Sequence, residues 1–129
     1  MLTHSRFCVG LREMHLIIEI VFDKHSSNSR KRALACMRDL VDDAAKAGYG
    51  EYRTALTLMD QVAGTYDWGD GALMKFNEKL KDALDPKGIL APGKSGIWPK
   101  RYRGRGWEMG EGHEVIEGHG VDSVGTVRL

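Results

Sequence analysis

The chain has 129 residues, enough for one small domain with one core. Hydrophobic residues make up 42%, charged residues 29%, and formal net charge is +1, so no global field draws it to nucleic acid or to a membrane surface. Its longest apolar stretch, Leu16 to Phe22, falls far short of the ~20 residues of a spanning helix, and no basic-then-apolar leader opens the chain. The two cysteines, Cys8 and Cys36, are too few for a disulfide framework and fit no metal spacing. Reduced thiols in a cytoplasmic protein are expected. The ending Val127-Arg128-Leu129 is only loosely like a peroxisomal address.

Residues 1 to 12 carry no clear period. From Glu13 to Phe22, dense β-branched residues predict a strand. Met14, Leu16, Ile18, Ile20 and Phe22 share one face and should meet a core, while His15, Ile17, Glu19 and Val21 share the other. Asp23 to Asn28 is a polar turn, and Ser27 or Ser29 can cap a helix running to about Lys46. Ala33, Met37, Leu40, Val41 and Ala44 form its buried stripe, and Gly48 stands where a left-handed cap is wanted. A shorter helix is expected from Thr54 to about Ala63, with Leu58, Met59 and Val62 inward. Tyr66 to Gly71 is a loop, and Asp70 can cap a helix to about Leu84 whose stripe is Leu73, Phe76, Leu80 and Ala83. Pro86 stops that helix, because the residue before proline avoids helical torsions. Residues 86 to 100 read as an ordered, proline-stiffened loop anchored by Ile89, Leu90, Ile97 and Trp98. Beyond Trp107, glycines recur with no apolar period, and an unstructured tail over 108–129 is expected.

Two places could carry chemistry. Tyr52-Arg53 sets a phenol beside a guanidinium. In a partly dry cleft the pair would favour an oxyanion by charge and by hydrogen bonding. From spacing alone, an arginine paired with Glu51 and a tyrosine packed on the core is the commoner arrangement. Lys94 ends the stiff Ala91-Pro92-Gly93-Lys94 turn, where backbone can approach a flat ligand, although such a turn is usually plain surface. The histidines at 4, 15, 25, 113 and 119 have no ligand spacing, so no metal is expected. Gly69-x-Gly71 lacks the third glycine of a dinucleotide fingerprint. The basic run Lys100 to Gly106 could touch phosphates, but a patch this short is more often a solvated segment, and no nucleic-acid partner is expected.

Several blocks in order change the weighting: Gly48-Tyr49-Gly50-Glu51-Tyr52-Arg53-Thr54, Leu58-Met59-Asp60-Gln61, Thr65-Tyr66-x-Trp68, and Asp85-Pro86-x-Gly88-Ile89-Leu90-Ala91-Pro92-Gly93-Lys94-x-Gly96-Ile97-Trp98-Pro99. Together, over residues 13 to 103, they resemble the C-terminal part of the flavoprotein family of vanillyl-alcohol oxidase and para-cresol methylhydroxylase. The resemblance implies an α+β fragment of a two-domain FAD-linked oxidase. Residues 1–50 would be the last strand and helix of the substrate (cap) domain, and 51–107 the helical return that packs on the FAD-binding domain. It implies a para-substituted phenol as substrate, held as its phenolate by Tyr52 and Arg53, with hydride passing from the para carbon to flavin N5. Arg53 and Lys94 would lie toward the cofactor, FAD. Ala55 departs from the family, where a histidine often stands. The half that cradles the pyrophosphate has no counterpart here, so the chain would be inactive alone.

Two other classes remain. A strand and helix standing alone leave an apolar face open, which suits a non-enzymatic interaction module or a homo-oligomer. An RNA-binding protein would rest on residues 100 to 106.

Overall fold

The computed structural model describes residues 2 to 109. The described residues form an α+β chain of one two-stranded sheet, three α-helices and two single turns of 3-10 helix. They fall into two compact units, one ending at Ala35 and the other starting at Cys36.

In the first unit, β1 (Leu2–Val9) and β2 (Met14–Val21) pair antiparallel from Leu2–Val21 to Val9–Met14. The Gly10 amide closes the turn by donating to the Glu13 carbonyl at 2.8 Å. β2 is the strand its composition predicts, whereas β1 is an addition. Leu2–Val9 has no alternation, and its pairing with β2 supplies the order. The expected burial of one face of β2 is not found. Met14, Leu16 and Ile18 are exposed, as are Ile17 and Val21 on the other side. α1 (Ser27–Lys46) begins one residue after its cap. The cap is Ser26, not Ser27 or Ser29: its Oγ accepts from the Ser29 amide at 3.2 Å. Ser29 instead accepts from the Asp23 amide at 3.1 Å and so ties down the preceding turn.

In the second unit, α1 ends in a Schellman motif. The Tyr49 amide donates to the Ala44 carbonyl and the Gly48 amide to the Ala45 carbonyl, both at 2.9 Å, with Gly48 at φ +84°. The turn Leu56–Leu58 leads into α2 (Met59–Gly64), where Leu58, Met59 and Val62 are buried as predicted. Arg38 and Gln61 clasp α1 to α2. The guanidinium donates to Gln61 Oε1 at 2.9 Å, and Gln61 Nε2 donates back to the Arg38 carbonyl at 3.0 Å and to Asp42 at 2.7 Å.

α3 (Trp68–Leu84) opens with Gly69, Asp70 and Gly71 all left-handed, so the predicted loop survives inside the helix's first turn, and Asp70 makes no capping bond. Its expected stripe is uncovered: Leu73, Phe76 and Leu80 are exposed. Of the expected anchors of the 86–100 loop, Ile97 and Trp98 are half-buried, but Ile89 and Leu90 face outward. Asp85 replaces those two as the anchor, as described below. The expected tail lies outside the described residues beyond Met109. Its first two residues are held: Glu108 accepts from the Gly104 amide at 2.7 Å, and the Met109 amide donates to Asp60 at 2.6 Å. Among the described residues no helix is long and apolar enough to cross a membrane.

Candidate functional site

Residues 51 to 55 leave the end of α1 as an open bend, and the 3-10 turn starting at Leu56 takes them over the buried Met59 and Val62. A hollow of about 210 Å³ opens there. Met59, Val62 and Leu73 make its apolar wall, and Glu51, Tyr52 and Tyr66 bring polar atoms to it. Partial burial raises the Glu51 carboxyl above its usual range, with a hydrogen bond from the Thr54 side chain pulling the other way.

The loop after α3 closes the far side. Asp85 is 6% exposed, and its carboxylate accepts from the Ile89 and Leu90 amides, both at 2.9 Å, while Lys81 Nζ lies 2.9 Å away. The Lys81 bond, helped by the two amides, holds that carboxyl at about 2. The same ammonium donates to the Leu90 carbonyl. Two non-glycine residues of the loop, Ala91 and Ser95, take left-handed torsions, φ +37° and +56°. Met59 helps fix the second: its sulfur accepts from the Ser95 amide at 3.2 Å and has Lys94 Nζ 3.8 Å away. Trp98 Nε1 donates to Asp60 at 2.7 Å, and Pro99 behind it is fully buried. Arg103 then staples the loop's exit to α3, gripping both Asp82 oxygens at 2.8 and 2.9 Å and Glu78 at 3.1 Å, which lowers the Asp82 carboxyl.

The structure separates the three residues singled out from sequence. Tyr52 lines the hollow and is 68% exposed, so it is not packed on the core. Arg53 is exposed beside it, outside the hollow's wall, and makes no ion pair with Glu51 or other described residues. Lys94 stands on the opposite loop, against Met59. Sequence reasoning missed the roles of Tyr66, which bonds the backbone next to Tyr52, and of Met59, whose sulfur holds the Lys94 turn. The Thr65-Tyr66-x-Trp68 block marked the first position without giving it a task. Among the described residues no cluster of His, Cys, Asp and Glu could hold a metal ion.

Residues 9–95 match the family of FAD linked oxidases, C-terminal domain. The chain belongs to this family. It is 39% identical over 93 residues to the 4-cresol dehydrogenase [hydroxylating] flavoprotein subunit of Pseudomonas putida, covering 72% of this chain and 17% of that one. It is 31% identical over 91 residues to the 1'-carboxy-chondrochloren decarboxylase of Chondromyces crocatus, covering 66% and 16%. A solved 4-ethylphenol oxidase from Gulosibacter chungangensis, in an isoeugenol complex, superimposes with a TM-score of 0.76 at 48% identity over 78% of this chain and 19% of that chain. The chain thus spans less than a fifth of each relative's length. The family's cofactor is FAD, and this α+β chain corresponds to the C-terminal part of such an oxidase.

Proposed function

We propose that the chain is the C-terminal portion of an FAD-dependent oxidoreductase acting on para-substituted phenols, and that it is inactive by itself. The observation that carries this reading is the position of Tyr52 on an apolar hollow, within a segment 48% identical to the matching part of a 4-ethylphenol oxidase. Residues 1–50 act as the remnant of the substrate (cap) domain, and 51–107 pack on the FAD-binding domain. The stripe of α3 (Leu73, Phe76, Leu80) supports that packing, since it is an apolar row that stays exposed.

The residues present fit a flavin and an anionic phenol in their chemistry. The hollow is apolar enough for a ring, a phenolic hydroxyl stands on it, and Arg53 and Lys94 carry charge that the scaffold does not neutralise. Arg53 and Lys94 would hold the cofactor side, and FAD, when bound, supplies the hydride acceptor. Tyr52 donates a hydrogen bond from its hydroxyl to the substrate oxygen and keeps its proton. Arg53 adds a fixed positive charge that favours the phenolate. Ionisation moves electron density toward the para position, which would ease loss of hydride from the substituent carbon attached there. Met59, Val62 and Leu73 exclude water from the ring, which strengthens both polar contacts.

The test is an exchange: the matching segment of the 4-ethylphenol oxidase is replaced by this chain. Retained flavin absorbance and phenol-dependent turnover are expected, with Tyr52→Phe and Arg53→Met each lowering turnover by roughly 100-fold or more, the scale of one oxyanion donor. An exchanged protein that holds flavin yet neither binds nor oxidises phenols would refute the reading. A second reading, an interaction module or homo-oligomer, is favoured by the exposed β2 side chains. Size-exclusion chromatography of the chain separates the two, because a compact monomer counts against it.

A further inference from the structure

Tyr66 lies 14 residues beyond Tyr52 and lines the same hollow. Its hydroxyl donates to the Glu51 carbonyl at 2.7 Å. That carbonyl belongs to the peptide unit that leads directly into Tyr52. The phenol also sits flush on Gly50: a β-carbon there would lie 2.7 Å from the hydroxyl oxygen and 3.2 Å from the ring carbon bearing it. Tyr66 is itself braced by Trp68, whose ring meets it edge-on at 5.2 Å. Glu51, Tyr52 and Tyr66 share the wall of one cavity, so the bond acts inside the site and not at its periphery. The bend it holds, residues 51 to 55, has neither helix nor strand to set its path.

We propose that Tyr66 is the positioning residue of the Tyr52–Arg53 pair: bonded to the Glu51 carbonyl and seated on Gly50, it sets where those two side chains stand against a bound phenol. The inference rests on the proposed function for its ligand and on the coordinates for its geometry. Tyr66 keeps its hydroxyl for the backbone and does not touch the substrate oxygen. Its removal therefore acts only through the pair, loosening the hold on the ionised phenol and lowering turnover with it. Gly50 belongs to the same device, because any side chain there displaces the phenol.

Two measurements test it. In the chain itself, limited cleavage by trypsin after Arg53, in the bend, is followed for the unsubstituted protein, Tyr66→Phe and Gly50→Ala. Faster cleavage there in both variants, with the rates at the lysines of α3 unchanged, is expected. Unchanged cleavage after Arg53 overturns the proposal. In the exchanged 4-ethylphenol oxidase, binding of a non-oxidisable phenol is titrated against pH. Tyr66→Phe should weaken the phenolate form about tenfold, the effect of one lost hydrogen bond to a partly buried acceptor, with a smaller fall in kcat than Tyr52→Phe gives. Faster cleavage without weaker phenolate binding overturns the positioning role alone. An unsubstituted exchanged protein that binds no phenol refutes the functional reading instead.

Discussion

Gly96 faces Ala63 across the contact between the Lys94 turn and α2, and replacing it with alanine separates two costs. The new β-carbon would lie 2.4 Å from Ala63 Cβ and 3.3 Å from the Met59 carbonyl. The first lies about 1 Å inside ordinary contact distance, the second only slightly inside it, and neither partner is a flexible tip that can swing away. Forcing a methyl into such a contact costs about 1–3 kcal/mol. Gly96 also holds φ +72°, which costs an alanine about 1–2 kcal/mol. Gly96→Ala should therefore destabilise by about 2–5 kcal/mol, a large share of the roughly 5–15 kcal/mol of a small domain. Ala63→Gly gives back the steric part only. Alone it costs about 0.5–1 kcal/mol in the helix, but in the double variant the clash is gone and a loss of about 1.5–3 kcal/mol remains. Urea denaturation of the four proteins, read by circular dichroism, closes the cycle. A coupling under about 0.3 kcal/mol, or a Gly96→Ala loss under about 0.5 kcal/mol, would show that the turn does not pack on α2 as described.

The carboxylates carry three further expectations. Asp85→Asn keeps an acceptor for only one of the Ile89 and Leu90 amides, sets its NH2 against the other and takes the carboxylate away from Lys81, so residues 86 to 93 should become the first site of limited proteolysis. Because the Asp85 carboxyl is held at about 2 in the folded chain, below its ordinary 3.8, its stabilisation is fully present above about 3.8. That contribution fades as pH falls toward 2, and acid titration of Asp85→Asn should lack this component. Glu51 has the opposite sign: its carboxyl is raised above 4.5, so its stability term is present below that value and lost as pH rises through the raised one. Glu51→Gln should gain relative stability at neutral pH, and equal pH profiles would count against burial of that group. Trp98→Phe removes the donor to Asp60 and should cost about 1–2 kcal/mol in thermal denaturation.

What the sequence could reveal followed from local rules. The inward row Leu58, Met59 and Val62, the Gly48 cap and the stop before Pro86 each depend on neighbours a few residues away, and all three hold. β1 was not legible because Leu2–Val9 gains its order from β2, not from its own pattern. The stripes on β2 and α3 were read correctly as apolar, but burial needs a covering partner, and periodicity cannot say whether these residues themselves provide one. Ile89 and Leu90 were expected as anchors for being apolar. Their amides, not their side chains, do the anchoring, through a carboxylate that composition would place on the surface. Of the proposed site, Tyr52 and Arg53 could be singled out by residue type, whereas the Tyr66 hydrogen bond spans 15 positions and no local pattern encodes it.

The cations show how scaffold and site divide the same kinds of residue. Lys81 and Arg103 look like surface charges in the sequence, yet Lys81 closes on Asp85 and Leu90, and Arg103 on Glu78, Asp82 and the Trp98 carbonyl. Arg103 stands inside the basic run 100 to 106, so that run is not a uniform face for phosphates. Its central guanidinium is already neutralised, and Arg101 is turned to the Lys87 carbonyl and the Tyr102 ring. Arg53 and Lys94 are treated differently. Arg53 forms no ion pair among the described residues, and Lys94 meets only a methionine sulfur, a weak acceptor that leaves its charge available. Other exposed cations, Lys31, Arg32 and Lys79 among them, likewise form no ion pair among the described residues, so a role of Arg53 and Lys94 toward an anion rests on the proposed function and not on their uncommitted charge alone.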